Sequence, residues 1–183
     1  MKKYIIIIVS FVFVSNISAQ SFGLKGGIAS TSFSGTGLEI IDKNKGFYLG
    51  AFLKMGEDNI QWSPEIIFHQ KGAALSDTTS LSLNYIDMGI NVHFHITDEL
   101  ALIAGPYVGY AATGNTKNSD INDWDKDGYN RVDFGVNLGT TYAINDLFNL
   151  DLRYGIGLTN IKDDGLSMQN TSLQVGIGYV FSY

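Results

Sequence analysis

Cysteine is absent from the chain. No disulfide can form, so stability must come from the fold itself. A lipid-anchored cysteine after the first apolar run is excluded on the same ground. Proline is nearly absent, with two residues against 21 glycines, a balance that suits β-structure with tight corners and a crowded interior. Positive charge is in deficit. Lys and Arg number 12 against 18 Asp and Glu, and the net charge of −6 falls to −8 once Lys2 and Lys3 are removed. That balance argues against nucleic-acid partners and against a basic helix lying on a membrane surface. After Val14 there is no apolar run long enough for a transmembrane helix. A helical membrane protein is thereby disfavoured. A barrel is not, because its apolar signal is spread over alternate residues.

The residues that are present begin with a secretory signal. Lys2 and Lys3 form a basic start, Tyr4 to Val14 is apolar apart from Ser10, and Asn16-Ile17-Ser18-Ala19 is a short small-residue exit. Cleavage after Ala19 leaves residues 20–183 as one domain. An uncleaved anchor is the alternative, and the short apolar run speaks against it.

The clearest pattern lies at the other end. From Ser172 to Tyr183, the residues Leu173, Val175, Ile177, Tyr179, Phe181 and Tyr183 form an apolar face. Their neighbours Ser172, Gln174, Gly176, Gly178 and Ser182 are small or polar, with Val180 the exception. Strict alternation of this kind predicts a β-strand with two unlike faces. About 12 residues is long for a soluble strand and suited to a tilted membrane-crossing one.

Seven more segments lead to it. They span residues 21–30, 46–55, 60–72, 83–96, 100–113, 131–144 and 147–160. In the third, Ile60, Trp62, Pro64, Ile66 and Phe68 oppose Gln61, Ser63, Glu65, Ile67, His69 and Lys71. Pro64 cannot donate to a ladder and predicts a bulge there. The connections alternate in length. Those between segments two and three, four and five, and six and seven are hairpin-sized. The others are longer, polar and rich in Gly, Ser and Asp. Short turns at one end and long loops at the other is the asymmetry of outer-membrane barrels, with the short turns periplasmic. The fold expected is therefore all-β, an eight-stranded antiparallel up-and-down transmembrane β-barrel. The face carrying Ile66, Phe68, Ile90, Val136, Leu152 and Ile177 is expected to touch outer-membrane lipid.

Four segments carry a family resemblance. They are Ser63-Pro64-Glu65-Ile66-Ile67-Phe68-His69-Gln70-Lys71-Gly72, Leu83-Asn84-Tyr85-Ile86-Asp87-Met88, Gly105-Pro106-Tyr107-Val108-Gly109-Tyr110, and Arg153 to Ile161. In this order they resemble the small outer-membrane β-barrel family common in Bacteroidetes, the PorT-like or porin-family barrels. The resemblance implies the outer membrane and a barrel architecture. It also implies that the last strand is read by the barrel assembly machinery before pairing with the first. The PorT member is linked to protein secretion, so a secretion-system or envelope protein is the implied partner class.

Two constellations invite chemistry. The inward face is expected to hold Lys54, Glu65, His69, Lys71, Asp87, His93, His95, Asp133, Asp151 and Arg153. An eight-stranded barrel is filled by side chains, so charges inside it should pair. Glu65, Asp87, Asp133, Asp151 and Arg153 are expected in such an ionic network. Glu65 and Arg153 come at similar distances above their turns and should meet across the lumen. His93 and His95 sit two apart on one face, close enough to share a metal, but His69 is placed near the opposite rim. The second constellation is Asp123, Asp125, Asp127 and Gly128, which match positions 1, 3, 5 and 6 of a calcium loop. The twelfth position is Phe134 rather than Glu, so the site is at most a weak loop-ordering one. No Ser/His/Asp order is visible, so no enzyme activity and no cofactor are expected. The role expected is structural or accessory in the envelope. The alternatives are a secretion-accessory barrel and a soluble barrel, with its apolar faces inward, binding a small apolar ligand.

Overall fold

A computed structural model of the chain describes residues 21–35, 42–56, 59–74, 80–116, 119–120, 130–161 and 167–182. Alternation of large apolar with small or polar residues places nearly all of them in strands. These are β1 (Ser21–Ser34), β2 (Asp42–Lys54), β3 (Ile60–Ala74), β4 (Ser80–His95), β5 (Leu100–Thr116), β6 (Ser119–Asp120), β7 (Val132–Ala143), β8 (Phe148–Gly157) and β9 (Gln169–Ser182). β6 is a two-residue stub against Asn115 and Thr116. The other eight pair antiparallel in the ring β1-β2-β3-β4-β5-β7-β8-β9, and β9 returns to β1 from Ser21↔Ser182 to Ser34↔Gln169. Every long strand therefore has two neighbours, and the sheet has no open edge.

The short turns are built by local side-chain acceptors. Thr97 Oγ1 accepts from the Leu100 amide at 3.0 Å, and Asn145 Oδ1 accepts from the Leu147 and Phe148 amides at 2.9 and 2.8 Å. These residues mimic a backbone turn with their own side chains. In the β2–β3 turn Gly56 has φ 108°, a left-handed conformation that a Cβ would strain and that would bring it 2.7 Å from the Ile60 carbonyl.

The apolar faces point outward. Ile66, Phe68, Ile90, Leu152 and Ile177 are exposed, and Val136 is half-buried on the same face. An apolar surface encircling the whole sheet has no place in water. The alternative of a soluble barrel with these faces inward is overturned, because they are exposed while the opposite face, which carries the buried charges, points inward. Aromatic side chains cluster at the short-turn end of this surface. Phe22 stacks on Phe181 at 5.4 Å, Tyr179 meets Phe181 at 4.8 Å and Phe148 at 5.1 Å, and Trp62 and Phe94 lie at the same end. Phe47 and Phe68, 5.8 Å apart, mark the loop end. The belt between them is mostly aliphatic, the arrangement of girdles around a hydrocarbon layer.

Six of the eight long strands run further at the loop end than the sequence pattern indicates, whereas β7 and β8 stop short of it. β4 and β5 reach 16 and 17 residues, beyond the 9–11 or so that cross a membrane. Inside this extension the filling is apolar: Phe33, Leu83, Ala111, Ile161 and Met168 are almost fully buried. The Ile161 amide donates to the Met168 carbonyl at 2.8 Å, tying the β8 exit to the β9 entry.

The bulge expected at Pro64 is not found. β2–β3 pairing runs from Tyr48↔His69 to Phe52↔Glu65, and Met55 bridges Trp62 in the same register. Proline removes one donor but inserts no residue, so the ladder skips a rung without shifting. The register shifts lie between Lys43 and Tyr48 and between Asn84 and Tyr85 instead.

Candidate functional site

The inward face of the barrel is lined by charge. Alternation on β3 turns Glu65, His69 and Lys71 inward, on β4 Asp87 and His93, on β7 Asp133, and on β8 Asp151 and Arg153; all are buried. Lys54 and His95, nearer the short-turn rim, are half-buried. The five residues expected in one network fall into two groups at different heights.

The lower group centres on Glu65. Its two carboxylate oxygens are divided between cations from opposite directions. Oε1 accepts from Arg153 Nη1 at 2.5 Å, across the lumen from β8, and Oε2 accepts from Lys25 Nζ on β1. Arg153 Nη2 also donates to Asp151 at 3.2 Å. Lys25 further lies over the Phe52 ring at 5.5 Å. Three walls of the barrel are thus joined through one carboxylate, and charge-assisted bonds of this kind are the strong ones. Tyr48 projects into the same region. Its hydroxyl occupies the space where Gly176 of β9 has no side chain; a Cβ there would collide with it.

The upper group centres on Lys71. Its ammonium lies 3.1 Å from both Asp87 and Asp133, which come from β4 and β7. It is sandwiched by the rings of Tyr85 and Tyr107, 4.5 and 4.6 Å from their centroids. His69 Nδ1 lies 3.2 Å from Asp87. Asp133 also accepts from Tyr107 Oη at 3.3 Å and from Asn170 Nδ2 at 2.8 Å. Above this group comes the apolar plug of Phe33, Leu83, Ile161 and Met168.

Sequence reasoning missed Lys25, Phe52, Tyr107 and Asn170. The signal for Lys25 was its parity: Leu24 and Ile28 face out, so Lys25 must face in. The carboxylates serve as braces, since each is tied to a cation or to several donors. Among the described residues no cluster of three or more His, Asp or Glu is arranged to hold a metal ion. Asp123, Asp125 and Asp127 lie outside the described residues.

Comparison with known proteins follows the same lines. Residues 18–163 match the family model for the outer membrane protein beta-barrel domain. No curated protein sequence matches the chain. Among solved structures, neisserial surface protein A (NspA) superposes with a TM-score of 0.63 at 15% identity, covering 91% of this chain and 100% of that one. Ail, the attachment invasion locus protein of Yersinia pestis, in complex with the heparin analogue sucrose octasulfate, gives a TM-score of 0.56 at 15% identity, covering 88% and 99%. At such identities the likeness is one of fold, an eight-stranded barrel.

Proposed function

The chain belongs to the outer membrane protein beta-barrel domain family and resides in the outer membrane, and we propose that it serves there as a closed, non-catalytic and non-conducting barrel, a rigid envelope component that presents its long loops outside. The observation that carries this reading is the double cross-bracing of the lumen. Glu65 ties β3 to β1 and β8, Lys71 ties β3 to β4 and β7, and an apolar plug lies above both. A barrel of this width has no room for solutes once such side chains fill it. The short turns face the periplasm, the loops face outward, and residues 1–19 are removed on export. Assembly proceeds through the final strand, read by the barrel assembly machinery. The test is conductance of the refolded, purified barrel in planar lipid bilayers. Silence at voltages where porins conduct supports the reading, and stable conductance steps from intact barrels overturn it.

A second reading, an accessory of a protein-secretion system, is supported by the four segments that resemble PorT-like barrels of Bacteroidetes. It requires a partner surface on the turns or loops. A deletion strain with unchanged secretion would remove it.

A further inference from the structure

We propose that the outer face of β1 and β2 at the loop end, carrying Lys43, Lys45 and Ser30, binds a phosphate group of a glycolipid in the outer leaflet. This inference deepens the reading above, because it rests on the long loops facing outward.

The apolar belt ends along a definable line. On β2 the outward residues Phe47, Leu49, Ala51 and Leu53, with Met55 just beyond the strand, are all apolar. At about 3.3 Å per residue and a tilt of about 40°, they cover about 20 Å along the membrane normal, most of the 25 Å or so of such a band. The next outward positions on β2 are Lys45 and Lys43, both exposed. Neighbouring strands change in the same place. Ile28 pairs with Phe47, and the next outward pair is Ser30 with Lys45. On β9 Leu173 pairs with Ser30 and Thr171 with Ser32. The outward row passes from Phe68 to Gln70 on β3 and from Ile86 to Asn84 on β4. A polar collar thus begins one step beyond the Phe47–Phe68 contact, at the depth of lipid headgroups.

Charge selects the partner of this collar. Among the described residues the exposed charges divide by end. Lys43 and Lys45 lie at the loop end, and Asp98, Glu99 and Asp146 lie in the short turns. Arg131, half-buried against the Tyr110 ring, adds a cation to the collar on the opposite wall. The other described cations, Lys25, Lys54, Lys71 and Arg153, face the lumen. Lysines facing out in a headgroup layer attract anionic lipids over about a Debye length. In the outer leaflet the matching anion is the phosphate of its glycolipid.

The local geometry suits one phosphate. Lys43 and Lys45, two apart on one face, have Cα atoms about 7 Å apart, so both ammonium groups reach a single phosphate. Ser30, directly opposite Lys45, supplies a hydroxyl donor. The acyl chains of the same lipid lie against Ile28, Phe47 and Leu49, which are 71%, 51% and 60% exposed. A free phosphate makes no such contact.

The test is native mass spectrometry of the refolded full barrel from neutral detergent micelles, reading the lipid retained as its concentration is raised. Three probes are compared: bisphosphorylated lipid A, the same lipid with its phosphates removed, and inorganic phosphate. The wild type is expected to retain the phosphorylated lipid and to hold the other two at least about tenfold more weakly. Lys43→Gln with Lys45→Gln should weaken retention about 25-fold, about fivefold for each cation near a charged lipid layer. Asp98→Asn, in a short turn, should leave it unchanged. Equal retention of the dephosphorylated lipid by the wild type overturns the site, and this arm needs no variant to fold. A heat-modifiable double variant that binds as the wild type does also overturns it. Inorganic phosphate held as tightly as the lipid overturns the lipid as occupant. Orientation is read separately, by labelling Ser34→Cys on whole cells with a membrane-impermeant maleimide, since the chain has no other cysteine. Labelling without lipid retention overturns the site alone. Retention without labelling overturns the outward loops, and with them the outer-leaflet lipid.

Discussion

Removing the Glu65 carboxylate should cost more than any other single change in the lumen. Glu65→Gln is nearly isosteric, so packing changes little, but both Lys25 and Arg153 lose their shared partner. Two cations are then left with Asp151, which touches Arg153 alone. Breaking a buried pair in this way costs about 3–5 kcal/mol, because the remaining charge is uncompensated. The geometry also ranks the repairs. Glu65→Gln with Lys25→Met leaves the Arg153–Asp151 bond in place and the group neutral. Glu65→Gln with Arg153→Met is neutral too, but it leaves Lys25 without a direct partner. The first double variant should therefore recover more stability than the second, with coupling energies of about 0.5–3 kcal/mol. Urea unfolding of the barrel in lipid vesicles, followed by tryptophan fluorescence and by gel mobility with and without heating, measures the wild type, the three single variants and the two doubles. Strictly additive losses would refute the brace, and equal recovery by both repairs would refute the division of Glu65 between two cations.

Three further outcomes are expected. Val136→Arg places a charge on the lipid face and should cost about 2–4 kcal/mol near the midplane, read in the same vesicle assay; a change near zero would place Val136 at an interface. Deleting Phe181 to Tyr183 should leave export intact but abolish heat-modifiable protein in the outer membrane, because β9 loses the stacking of Phe181 on Phe22 across its pairing with β1; wild-type levels of folded barrel would contradict this. Gly176→Val should collide with both the Gly26 carbonyl and the Tyr48 hydroxyl, each 2.3 Å from the added Cβ, and destabilise the barrel by about 1–3 kcal/mol. Adding Tyr48→Ala should relieve part of that loss, and a melting temperature with no such relief would show that the clash lies elsewhere.

The barrel was legible because its signal has period two and every strand repeats it. One face of Ile66 and Phe68 and another of Glu65 and His69 fix which residues look inward before any pairing is known. The meeting of Glu65 and Arg153 followed from counting residues above the short turns. The same count, carried further, separates Lys71 and Asp133 from Glu65, and the two-group arrangement was readable to that extent. Lys25 was overlooked because glycines at 23, 26 and 27 blur the faces of its strand. The apolar plug was not readable. Phe33, Leu83 and the Ile161–Met168 pair come from three distant parts of the chain, and all but Leu83 lie in stretches that look like loop. Pro64 misled because a missing donor was taken for an extra residue.

The seam between β1 and β9 differs in kind from the rest of the ring. Seven of the eight long-strand pairings join segments that follow one another in sequence, so each can form as a local event. The eighth joins Ser21–Ser34 to Gln169–Ser182, with the whole sheet between them. Chain-closure entropy rises only slowly with loop length, so this pairing is affordable once the others are in place. Its rate is another matter, since non-local pairing waits for everything it depends on. Until those fourteen rungs zip, the sheet is a curved ribbon with two bare edges. The cross-lumen bond from Arg153 to Glu65 spans that ribbon from β8 to β3 without passing through the seam. It can hold the ribbon curled and bring the edges near, so that the brace shortens the search for closure as well as stiffening the finished ring.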